Sequence, residues 1–69
     1  MSPNEKTLRQ RLGEVPFKPF LIHTVMGESL LVVSPDAASV NHEMIAVMNP
    51  TSGQFHYLTL EEILAINDP

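Results

Sequence analysis

Cysteine is absent from this chain of 69 residues, so neither a disulfide framework nor a thiolate zinc site can support a small core. Tryptophan is also missing, tyrosine occurs once, and basic residues number only four against eight acidic ones, a formal net charge of -4. That balance has the wrong sign for a protein that holds nucleic acid by neutralising phosphates. Apolar runs stop at a few residues, as in Leu30–Val33 and Ile45–Met48, against the roughly 20 that a membrane-spanning helix needs. The first dozen residues carry charge and no apolar stretch of the kind a signal peptide uses, so a soluble, cytoplasmic domain without a membrane partner is expected. The length excludes a multidomain enzyme. With 43% hydrophobic and 17% charged residues, the chain is nevertheless too apolar for intrinsic disorder. It should fold as a single domain over residues 1–69.

The local signals divide the chain into a helix (1–13), a proline-rich connector (14–19) and a β body (20–66). Ser2 at the N-cap, Pro3 at the first helical position and Glu5 three residues after the cap predict a helix start, and Gly13 a stop. Leu8 and Leu12 make a thin apolar stripe, while Glu5 and Arg9 can pair on another face. Such a short helix cannot offset its nucleation cost alone, so it must dock. Pro16 and Pro19 predict an extended connector around Phe17 and Lys18. Strand composition then runs through Phe20–Val25 and Ser29–Val33 about a turn at Met26-Gly27, a first hairpin. Asp36–Ser39 is expected to make a helical turn before Asn41-His42. Met44–Met48 and Gln54–Leu58, joined by Asn49–Gly53, form a second hairpin. Thr59 and Glu62 repeat the capping pattern over one turn, and Ile63–Ile66 reads as a short last strand, with a helix over Leu60–Ile66 as the alternative. The fold class is therefore mostly β, an α+β small domain. A short N-terminal helix precedes a four- to five-stranded antiparallel sheet or small barrel, with two hairpins and one helical turn before the last strand. Helix, hairpin, connector, hairpin, turn and strand is also the element order of Sm-like small barrels.

The candidate chemistry is sparse. His23, His42 and His56 lie on separate elements without the spacing of a helical metal motif, so no metal site or cofactor is expected. Ser34, Asp36 and His42 supply the residue types of a nucleophile, base and orienting acid but no recognised spacing. Glu61 and Glu62 are neighbours that point apart, which does not suit paired acid–base work. Gly13, Gly27 and Gly53 are too dispersed for a phosphate-cradling loop. No catalytic residue emerges.

Two patterns point to association instead. The strands are apolar on both faces, with Met44, Ala46 and Met48 alternating with Ile45 and Val47 in the third, and two leucines on one helix cover little of that surface. A second copy is the expected cover. Charge is also divided: residues 1–18 hold every basic side chain with Glu5 and Glu14, for +2, while residues 19–69 hold six acids and no base, for −6. Lys6, Arg9, Arg11 and Lys18, with Phe17 and Phe20 nearby, form the candidate interaction surface. It would either be solvated, touch the chain's own acidic body, or meet an acidic partner or second copy. The expected function is a non-enzymatic, self-associating interaction or structural module. A small barrel that binds nucleic acid through the basic helix and its flanking aromatics is the alternative.

Pro16-Phe17-Lys18-Pro19-Phe20-Leu21-Ile22-His23, the turn at Gly27, Pro35-Asp36 and the closing Leu58–Ile63 resemble a group of short bacterial proteins of unknown function that open with P-F-x-P-F-x-I-H. This chain has Met26-Gly27 where those proteins tend to have Asp-Gly, and Ser34-Pro35 where they tend to have His-Pro. The resemblance implies a small bacterial β domain and carries no activity.

Overall fold

The computed structural model describes all 69 residues. Helix α1 (Pro3–Leu12) precedes six strands: β1 (Phe20–Thr24), β2 (Ser29–Val32), β3 (Ala38–Val40), β4 (Met44–Met48), β5 (Phe55–Thr59) and β6 (Ile63–Asn67). Single 3-10 turns at Pro35–Ala37 and Leu60–Glu62 lead into β3 and β6. All pairing is antiparallel, in two three-stranded sheets of order β2-β1-β6 and β3-β4-β5. No helix is long and apolar enough to cross a membrane.

The α+β class, the N-terminal helix and the 3-10 turn before the last strand are as the sequence predicts, and Ile63–Asn67 is a strand rather than a helix. The difference lies at residues 35–40. The helical turn occupies Pro35–Ala37, and Ala38–Val40 becomes a sixth strand instead of continuing that turn. Alanine and serine have little strand preference of their own, so tertiary pairing decides: Ala38 lies opposite Val47, Ser39 opposite Ala46 and Val40 opposite Ile45. Asn41 closes this third hairpin, its Oδ1 accepting from the N–H groups of Glu43 and Met44, each at 2.8 Å.

The other turns follow from their residues. At Met26-Gly27 the chain needs a positive φ, which Gly27 supplies at 89°, and its N–H donates to the Thr24 carbonyl at 3.0 Å. Between β4 and β5, Asn49 Oδ1 accepts from Thr51 and Ser52. In the connector, the Val15–Pro16 peptide is cis.

One apolar core joins both sheets and the helix. Leu8, Phe20, Ile22, Val32, Ile45, Val47, Leu58, Leu60 and Ile63 are buried in a single cluster. Leu12 and Phe17 pack at its margin. Helix α1 lies against β3 and β6, and Asn4 fixes its first turn by donating from Nδ2 to the Leu60 carbonyl at 2.9 Å and to that of Ile63 at 3.3 Å. At the N-cap, Ser2 Oγ accepts from the Glu5 N–H at 3.2 Å. The reciprocal bond of a capping box, in which the Glu5 carboxylate would accept from the Ser2 N–H, does not form, because that buried carboxylate instead accepts from Arg9 Nε at 3.0 Å. An ion pair satisfies a buried charge better than a single amide does.

The second capping pattern carries a pH dependence. Glu62 Oε1 accepts from the Thr59 N–H at 3.0 Å and from its hydroxyl at 2.9 Å. Those bonds, the backbone one foremost, hold the Glu62 carboxyl below its ordinary value of 4.5, with nearby His56 adding to the effect and partial desolvation opposing it. A carboxyl depressed in the folded state adds stability above its unfolded pKa, and that stability is lost as pH falls through the lower folded value. Melting temperatures followed from about pH 5 to about pH 3 should therefore fall less steeply for Glu62→Gln than for the wild type. Parallel curves would show that the bond does not form in solution.

Candidate interaction surface

Successive side chains of a strand point to opposite faces, so the register of β4 and β5 assigns each residue. Ile45, Val47 and Leu58 point into the core. Met44, Ala46 and Met48 then face outwards, with Tyr57 opposite Ala46 and Phe55 opposite Met48. Tyr57 is 65% exposed, Phe55 49% and Met44 37%. The two rings lie 6.5 Å apart between centroids, tilted by 33°. Two aromatic rings and two methionines thus form one outward patch, and neither strand carries an acidic or permanently basic side chain over Met44–Met48 or Gln54–Leu58. Exposed contiguous apolar area of this kind marks interaction surfaces, where aromatics and methionine are enriched and charges depleted.

Beside the patch, a cleft of about 210 Å³ opens between β2 and the β4–β5 hairpin, walled by Leu31, Met48, Pro50, Phe55 and His56 among others. At the rim, His56 Nε2 stands 4.0 Å from Glu28 Oε2. Elsewhere, His23 Nδ1 is 2.9 Å from Ser29 Oγ across the first hairpin, and His42 pairs with its neighbour Glu43 at 3.2 Å. No carboxylate bridges to His23 to orient its ring. The three histidines lie apart, His23 on β1, His42 in the turn between β3 and β4 and His56 on β5.

The sequence-predicted surface is dispersed. Lys6 and Lys18 are exposed and make no ion pair. Arg9 is held by Glu5. Arg11 is bound to Asp68, lies 3.4 Å from Glu14 Oε1, and places its guanidinium carbon 5.3 Å from the centroid of the Phe20 ring. Its attachment to Asp68 realises one of the alternatives the charge pattern left open, contact with the chain's own acidic body. Phe20 does not belong to any surface. It is completely buried, because it opens β1 on the core-facing side opposite Val32, and Phe17 is half-covered with its ring 6.1 Å away. The proline-flanked rings therefore anchor the connector to the core.

Phe55 and Tyr57 are not among the candidate interaction residues that the sequence offers. Their signal is the alternation Phe55-His56-Tyr57-Leu58, in which the larger residues take the phase opposite to the core residue Leu58. No protein-family model, curated protein or solved structure matches this chain.

Proposed function

We propose that this chain is a non-enzymatic module that associates with a second copy of itself through the outward face of β4 and β5. The supporting observation is the uncharged patch of Met44, Met48, Phe55 and Tyr57 on an otherwise acidic body. Two bodies of like charge repel wherever their acids face one another, and this surface brings no formal charge to the contact. The order of the elements and the small antiparallel body support a small-barrel type, and the resemblance of residues 16–23 supports a bacterial protein.

Sedimentation equilibrium at about 100 µM, a concentration that detects even weak dimers, should give a mass above that of the single chain. Tyr57→Glu should return the protein to monomer with an unchanged circular dichroism spectrum, since the side chain is 65% exposed and contributes little to the core. A monomeric wild type at this concentration contradicts the reading.

A further inference from the structure

The pairing within β4–β5 shows which backbone groups are left over. The Asn49 N–H donates to the Gln54 carbonyl at 2.7 Å and the Leu60 N–H to the Glu43 carbonyl at 2.9 Å. Hydrogen-bonded pairs alternate along an antiparallel ladder, so β4 engages Gln54, His56, Leu58 and Leu60. The N–H and C=O groups of Phe55 and Tyr57 face away from β4, along the open edge of the sheet. Thr59 points the same way, but its N–H is already held by Glu62.

Natural edges are blunted by charges, prolines, bulges or covering elements. Helix α1 lies against the edge strands β3 and β6, whereas the edges of β2 and β5 both border the cleft. Strand β5 has none of these devices: Phe55-His56-Tyr57-Leu58-Thr59 holds no Lys, Glu, Asp or Pro and its register with β4 is unbroken.

Resting on the self-association read above, we infer that two copies join β5 to β5 in antiparallel fashion about a two-fold axis at His56, making one continuous six-stranded sheet from two β3-β4-β5 sheets. An antiparallel edge is its own complement under a two-fold rotation, and the uncharged Phe55–Thr59 segment lets a second acidic copy approach it without charge repulsion. The axis position follows from the free groups. Centred on His56, Phe55 of one copy exchanges both backbone bonds with Tyr57 of the other, and the reverse pair does the same. Centred one residue on, the pairing needs the Thr59 N–H and breaks its bond to Glu62. The His56 register also sets the outward rings of Phe55 and Tyr57 beside those of the second copy on one face of the joined sheet, so that cross-strand aromatic pairs form along with the edge bonds.

Since the chain has no cysteine, one introduced thiol reports the geometry without background. The two copies of residue 56 form a non-hydrogen-bonded pair with Cα atoms about 4.5 Å apart, inside the range of about 4.4–6.8 Å that a disulfide spans. His56→Cys should give a covalent dimer under mild oxidation, whereas Ser39→Cys, on the far edge strand, should stay uncrosslinked. In the wild type, amide exchange at Phe55 and Tyr57 should slow by about 10-fold or more between dilute samples and those at least nine-tenths dimeric. If the wild type dimerises while both amides exchange freely, the edge pairing is wrong and the self-association stands. If the wild type is monomeric, both fail. Should His56→Cys not fold, the wild-type exchange decides alone.

Discussion

Phe20→Ala should destabilise the protein by about 3–5 kcal/mol, enough to leave a domain of this size largely unfolded near 37 °C. Phe20 is completely buried and belongs to the cluster that joins α1 to both sheets. Removing its ring opens a cavity that the surrounding strands cannot collapse, because each is fixed by ladder hydrogen bonds. Two further losses follow: the Phe17 ring at 6.1 Å loses its neighbour, and the Arg11 guanidinium at 5.3 Å loses the aromatic face beneath it. Urea denaturation read by circular dichroism supplies the measurement, with the slope held constant between variants. A change below about 1 kcal/mol would mean that the ring is on the surface after all.

Leu8→Ala should cost about 2–5 kcal/mol, and Leu12→Ala clearly less. Leu8 is completely buried, whereas Leu12 packs only at the margin of the cluster, so the two leucines of the helical stripe are unequal. The order of the two variants is the sharper test, since absolute costs vary with how far a site relaxes. Equal and negligible effects, with rapid amide exchange throughout Pro3–Leu12, would show a detached helix and overturn its docking against β3 and β6.

Much of this fold is written locally. Ser2, Pro3 and Gly13 bracket the helix, the turn residues Gly27 and Asn49 mark two hairpins, and Thr59 with Glu62 marks the turn before β6. These devices act between residues a few positions apart, so a single sequence displays them. Strand β3 is different, because Ala38-Ser39-Val40 becomes extended only through β4, and nothing within those three residues announces it. Glu5 shows the same limit: its spacing from Ser2 satisfies the capping pattern, yet Arg9 takes the carboxylate. The two-sided apolar character of the strands is visible in the sequence, whereas the grouping of Met44, Met48, Phe55 and Tyr57 in one outward patch follows only from the pairing of β4 with β5. The basic residues are conspicuous because charge is easily counted, but Arg11 is bound to Asp68 at the other end of the sequence. Phe17 and Phe20 look alike beside their prolines. Only strand phase makes one of them core.

The contacts between α1 and the start of β6 also govern the order in which the molecule can assemble. Asn4 reaches across 56 residues of sequence to Leu60, and Ile22 of the first strand lies opposite Ile66 of the last. On a ribosome that adds about 5–20 residues per second, the helix and β1 emerge first and can meet β3 and β2, yet both lack their last partner until β6 has been made. The closing of these long loops must precede the stabilisation it brings, and folding rates fall as such non-local contacts make up more of a fold. Throughout that interval the nascent chain carries Phe20, Leu21 and Ile22 without their final sheet, and the β4–β5 hairpin, closed by the short Asn49–Gly53 loop, is free to form on its own schedule.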